Sequence, residues 1–206
     1  MNEQGPARPV RAHARRNREK LVAAALEEFT RTGKDAPLDG IARAAGVGIG
    51  TLYRHFPTRE SLVLAAYEHE VDQLCAGAED LVAALAPDRA LREFMGRLAG
   101  LLVTKQHMSE ALRSGGAEES YSKVYDTIDT LFTAGVAAGT LRADMETADV
   151  VRAMGGLLRL DVAGDWKGQA DRQIRLLMDG LYTGAPARAE GREPERWESG
   201  RQEPER

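Results

Sequence analysis

A single glycine between two short apolar segments, Gly46 within Leu38–Phe56, constrains this chain more than any other feature. Pro37 opens a helix over Leu38–Ala45 that sets Ile41 and Ala45 on one face. A second helix, Ile49–Phe56, sets Leu52 and Phe56 one turn apart. The joint Gly46-Val47-Gly48 leaves room only for a steep crossing, and Gly46 supplies the positive φ that such a reversal commonly needs. Ala42 falls where the helices approach, and a larger side chain there would hold them apart. Val47 and Leu52 then close a small core with Ile41 and Phe56. The pattern is that of a helix-turn-helix.

With Leu52 and Phe56 inward, Gly50, Thr51, Tyr53, Arg54 and His55 are left on other faces of the second helix. Their chemistry suits duplex DNA. Arginine pairs with guanine O6 and N7, threonine meets a thymine methyl, and tyrosine and histidine bind phosphate oxygens. Gly48 and Gly50 carry no bulk, so the backbone could come close to the duplex. Thr58 is placed to cap the next helix, and Arg59 stands at its first turn, where free N–H groups favour a phosphate. Charge agrees: residues 1–60 hold 11 Lys and Arg against 7 Asp and Glu, a net of +4, on a chain whose total is −4. The remainder is therefore at −8.

The flanks read as helices throughout. Residues 1–14, with Gly5, Pro6 and Pro9 and no apolar period, are expected to be a disordered basic arm. From about Arg15, the positions Leu21, Ala24, Ala25, Glu28 and Phe29 take helical spacing, and Gly33 stops the run. Further helices are expected at Arg59–Leu85 (with a break near Gly77), Pro87–Lys105, Ser109–Arg113, Glu118–Ala138, Thr147–Leu160 and Gln169–Thr183. No segment shows strand alternation, so the chain is expected to be all-α. The last residues, Gly184–Arg206, contain no Leu, Ile, Val or Phe and repeat Glu-Pro-Glu-Arg at 193–196 and 203–206. Such a composition gives no core to offset the entropy of folding, and a disordered tail is expected. The domain reading is thus 1–14 arm, 15–58 helix-turn-helix domain, 59–183 helical body and 184–206 tail.

Several functions are set aside by what the chain lacks. Cys75 is the single cysteine, and His13, His55, His69 and His107 are scattered, so no metal or cofactor is expected. No phosphate loop or nucleophile elbow is present, and no enzyme activity is expected. No run is long and apolar enough for a membrane span, and a cytoplasmic, nucleoid-associated protein is expected.

Residues 15–70 resemble the N-terminal domain of the TetR/AcrR family of bacterial transcriptional regulators. The resemblance rests on Ala24-Ala25-Leu26, Phe29, Gly33, Ile41-Ala42 and above all the run from Ala45 to Glu60, AGVGIGTLYRHFPTRE. It implies a homodimer with three N-terminal helices on double-stranded DNA and a larger C-terminal helical domain that binds a small-molecule effector and dimerises. The third helix, Ile49–His55, becomes the recognition helix, with Thr51, Tyr53 and His55 on contact positions and Arg59 on a phosphate contact. Two departures stand out. Pro37-Leu38 replaces the Ser or Thr that often caps the second helix, and Gly48 and Gly50 stand where larger polar residues are common. Base readout then rests chiefly on Arg54 and Thr51.

In the body, effector-pocket candidates are Phe94, Arg97, Leu101, Lys105, Met108, Tyr121, Tyr125 and Ile128, with Leu98, Leu102, Phe132, Thr104 and His107 nearby in the pattern. Val151, Met154, Leu158, Ile174, Leu177 and Leu181 lie on apolar stripes of the last two helices and are candidates for the dimer interface, with Gly155-Gly156 permitting close approach. The function expected is a ligand-responsive repressor on a pseudo-palindromic operator. The alternatives are an activator, or a helical small-molecule-binding protein or enzyme whose helix-turn-helix is vestigial.

Overall fold

A computed structural model describes residues 7–32, 35–105, 117–159 and 164–184, with backbone alone for 7–11, 103–105 and 158–159. Among these residues the chain is helical with no strand. A lone antiparallel bridge joins Leu141 to Tyr182. The helices are α1 (Ala7–Thr32), α2 (Leu38–Ala44), α3 (Ile49–His55), α4 (Arg59–Ala84), α5 (Pro87–Lys105), α6 (Glu118–Ala137), α7 (Thr147–Met154), a 3₁₀ turn at Gly155–Arg159, and α8 (Trp166–Leu181).

Four boundaries differ from those the sequence predicts. Helix α1 starts at Ala7, so residues 7–14 are not an irregular arm; alanine and arginine are strong helix formers, and Pro9 sits within the first turn, where no intrahelical N–H is lost. Helix α4 passes Gly77 without a break. After Met154 the Gly155-Gly156 pair tightens the expected α-helix into a 3₁₀ turn. Helix α8 begins at Trp166 instead of Gln169, because the Asp165 carboxylate accepts from Gly168 N–H at 2.9 Å. Gly168, a helix breaker by composition alone, is what the cap requires, since a Cβ there would run into that carboxylate. The helix expected at Ser109–Arg113, residues 1–6 of the arm and the tail from 185 on lie outside the described residues.

Burial divides the chain into two cores. The N-terminal one takes Leu21, Ala25 and Phe29 from α1, Ile41 and Ala42 from α2, Leu52 and Phe56 from α3 and its C-terminus, and Leu62, Val63, Ala65 and Ala66 from α4. The second holds Ala78 and Leu81 of α4 with Leu91, Phe94, Met95 and Leu98 of α5, Ile128, Leu131 and Phe132 of α6, and Val150, Met154, Ile174 and Met178 of α7 and α8. Helix α4 is therefore the element common to both. Thr58 caps it as its position predicts, accepting from Ser61 N–H at 3.1 Å while Ser61 Oγ accepts from Thr58 N–H at 3.3 Å.

The far end of the body is closed by main-chain bonds. The Gly135 carbonyl accepts from the N–H groups of Thr140 and Leu141, Arg142 N–H donates to Leu181 O, and Thr183 N–H donates to Thr140 O. Leu141 lies directly on Gly135, where a Cβ would collide with its Cδ1 and Cγ. Gly135→Ala should therefore cost about 1–3 kcal/mol through overpacking, even though alanine is the better helix former. Urea unfolding measures this, and an unchanged midpoint would show that Leu141 can move aside.

Candidate nucleic-acid interface

The turn between α2 and α3 has the geometry that its glycine suggests. Gly46 takes φ +68, Gly46 N–H donates to Arg43 O, and Val47 N–H donates to Ala42 O. Gly48 precedes α3 in extended conformation, and its carbonyl accepts from the N–H groups of Thr51 and Leu52. Pro37 offers α2 no side-chain cap, as expected from the missing Ser or Thr.

Helix α3 is held from below and open above. Leu52 is fully buried and Phe56 is 2% exposed. On the other side, Gly48, Gly50 and Arg54 are exposed, Tyr53 is 49% exposed and Thr51 is half-buried. Ile49, which has no place among the expected contact residues, is also exposed at the start of the helix. Ile49, Gly50, Tyr53 and Arg54 thus make up the open side of α3, and Thr51 lies at its margin. His55 and Arg59 occupy different surroundings. The His55 Nε2 atom is buried without a hydrogen-bond partner. Burial first, then the guanidinium groups of Arg54 and Arg18, lower its pKa below the usual 6.5. The Arg18 guanidinium itself lies 5.3 Å from the centre of the Phe56 ring. Arg59 turns one Nη1–H into the carbonyl of buried Ala36, at 2.8 Å, which ties the start of α4 to the loop before α2. This bracing role had no signal in the sequence, because it depends on where the α1–α2 connection passes.

The body candidates scatter more widely. Phe94, Leu98, Ile128 and Phe132 are buried in the second core, and Leu101, Leu102 and Tyr125 are half-buried. Arg97 is exposed and pairs with Glu93 at 3.1 Å, and Tyr121 is 62% exposed; neither belongs to an enclosed site. The side chains of Thr104, Lys105, His107 and Met108 lie outside the described residues. A cleft of ≈ 630 Å³ opens elsewhere, between α5 and α8, with Arg89, Arg92, Glu93, Asp171, Ile174 and Tyr182 on its walls. Of the dimer candidates, Met154, Ile174 and Leu181 are buried within the subunit and have little surface to offer a partner. Val151 and Leu177 are half-buried, and the Leu158 side chain is outside the described residues. Leu176, absent from the expected set, is 76% exposed. The signal was legible: the apolar run Leu176-Leu177-Met178 cannot lie on one face of a helix that turns about 100° per residue.

Comparison with known proteins agrees with this geometry. The family described as "Bacterial regulatory proteins, tetR family" matches residues 21–66, and the family described as "Transcriptional regulator SbtR-like, C-terminal domain" matches residues 86–183. The crystal structure of a TetR transcriptional regulator from Streptomyces coelicolor is 41% identical, with a TM-score of 0.68, covering 82% of this chain and 99% of that one. The HTH-type transcriptional repressor KstR of Mycobacterium tuberculosis is 25% identical over 80% of this chain and 81% of its own length. The HTH-type transcriptional regulator SAR0097 of Staphylococcus aureus is 34% identical over 68 residues, so the chain spans 36% of that relative.

Two measurements test the local physics. Arg59→Ala removes the donor to a buried carbonyl and should cost about 1–3 kcal/mol of stability, read by urea unfolding. His55 has its pKa lowered on folding, so the unfolded chain takes up this proton first as pH falls. The stability that this residue contributes is full above about 6.5 and lost as pH drops from there towards the lower folded value. Unfolding midpoints between pH 7.5 and pH 5 should fall less steeply in His55→Gln; equal slopes would place the histidine in an unperturbed setting.

Proposed function

Because the chain belongs to the tetR family of bacterial regulatory proteins, we propose that it is a repressor that holds a pseudo-palindromic operator as a dimer and releases it when a small-molecule effector occupies the body. The chain is a DNA-binding transcriptional regulator. Repression is supported by KstR, which carries that name and aligns along most of both chains. The observation that carries the DNA-reading role is the open side of α3, with Tyr53 and Arg54 exposed and Thr51 half-buried at its margin, over fully buried Leu52. Arg54 is the base-reading side chain, Thr51 a methyl contact, and Tyr53 and His55 phosphate contacts, with Gly48 and Gly50 letting the backbone approach. Arg59 braces the head and adds its positive charge at the start of α4, where a phosphate would lie.

The dimer would join α7 and α8 of two subunits, with Leu176 and Leu177 of α8 facing Val151 of α7 and Gly155 of the 3₁₀ turn that follows it. To enter successive major grooves, the two copies of α3 in such a dimer would have to lie about 34 Å apart. An effector held between α4, α5 and α6, against Leu101 and Tyr125, would shift α4 and with it the spacing of the heads. A coupling of about 1–3 kcal/mol changes operator affinity 5–150-fold. This role calls for no catalysis, metal or cofactor, and it places the protein with the chromosome. Among the described residues no helix is long and apolar enough to cross a membrane.

Binding to DNA from upstream of the protein's own gene, followed by gel shift, tests the reading. Arg54→Ala should weaken the specific complex by about 1–3 kcal/mol and relax discrimination at one base pair. No specific complex at low salt, or no effect of Arg54, would sink the proposal.

A further inference from the structure

From the course of α1 we infer that its N-terminal half is a second phosphate-binding surface, one that grips the duplex outside the stretch covered by α3. The inference rests on the DNA-binding reading and adds a part of the molecule to it. Residues 7–20 contain six arginines and lysines and one acid, Glu19, for a net charge of +5. They continue α1 as helix beyond the head: Leu21 is fully buried, whereas among residues 12–20 no side chain is buried. Apolar burial does not account for this stretch.

Register gives it a direction. Arg8, Arg11, Arg15 and Arg18 follow one another at steps of three, four and three, so these positions share one face of the helix. The base of the stripe is fixed, because Arg18 stacks on Phe56, the residue that ends α3. The stripe thus begins beside the recognition helix and leads away from it for about 15 Å of helix rise. A DNA strand presents a phosphate every ~3.4 Å along the axis, so about four lie within that length. Like charges one turn apart repel by a few tenths of a kcal/mol per pair. Arg15 has Glu19 at 3.4 Å as partial relief, and a polyanion laid along the helix would lower the repulsion along the whole stripe. A solvated stripe with no partner is the competing outcome.

The sequence-independent part of DNA binding suffices for the test. The full chain is titrated against a fluorescein-labelled duplex of about 30 bp and arbitrary sequence, by anisotropy, at salt from about 50 to 300 mM. Each phosphate that is no longer neutralised reduces the slope of log K against log salt by about 0.9, so R8Q/R11Q/R15Q should flatten it by about 2–3 per protomer. R8K/R11K/R15K should keep the original slope, and so should R89Q/R92Q, whose exposed arginines lie on the body. An unchanged slope in the glutamine variant, with the unmodified chain still binding, overturns the inference and leaves the α3 reading standing. Equal losses in the glutamine and lysine variants also overturn it, by tracing the effect to something other than charge. Absence of any binding by the unmodified chain overturns the inference and the DNA-binding reading together.

Discussion

Helix α4 carries Leu62, Val63, Ala65 and Ala66 into the N-terminal core and Ala78 and Leu81 into the other, so two separately packed bodies share one rod. Everything else is arranged around that fact. At 26 residues the helix is about 39 Å long, longer than either body needs for its own packing. Its start is fixed by the reciprocal Thr58–Ser61 cap and by the Arg59 bond to Ala36, both within the head. Further along, Lys123 of α6, which also pairs with Glu119 of its own helix at 3.1 Å, reaches Asp72 of α4 at 2.7 Å and ties the rod to the body. That pair is exposed and adds little stability.

The head was legible because its constraints are local. Gly46 needs a left-handed backbone, Ala42 must be small, and Leu52 and Phe56 must be one turn apart; each demand is written within twenty residues of the others. The body was legible as helices but not as surfaces. Its strongest apolar stripes, Met154, Ile174 and Leu181, belong to the subunit's own core, which takes the most hydrophobic face available. A face kept for a partner is thinner and shows only as a surplus, such as Leu176 beside Leu177 and Met178. Helix ends were hidden where a glycine serves a cap, as Gly168 does for Asp165.

Charge in the head has two kinds of duty. Arg54 is exposed on α3, whereas Arg59 and Arg18 spend part of their donor or cationic capacity on Ala36 and Phe56. Counting arginines along a sequence cannot separate these, since the difference lies in pairings of residue 18 with 56 and of 36 with 59. His55 shows the same coupling: its ring favours the neutral form because it is buried and because Arg54 and Arg18 stand close to it.

The shared rod also governs how such a protein can change over generations. Because an α-helix turns about 100° and advances 1.5 Å per residue, gaining or losing one residue between Ala66 and Ala78 would swing one body around the other, and would also displace buried Val71 and the Asp72–Lys123 pair. The number of residues in this stretch, more than their identity, therefore sets how the head is oriented on the body. A change of length there would act on the orientation of the head without touching a single residue of α3.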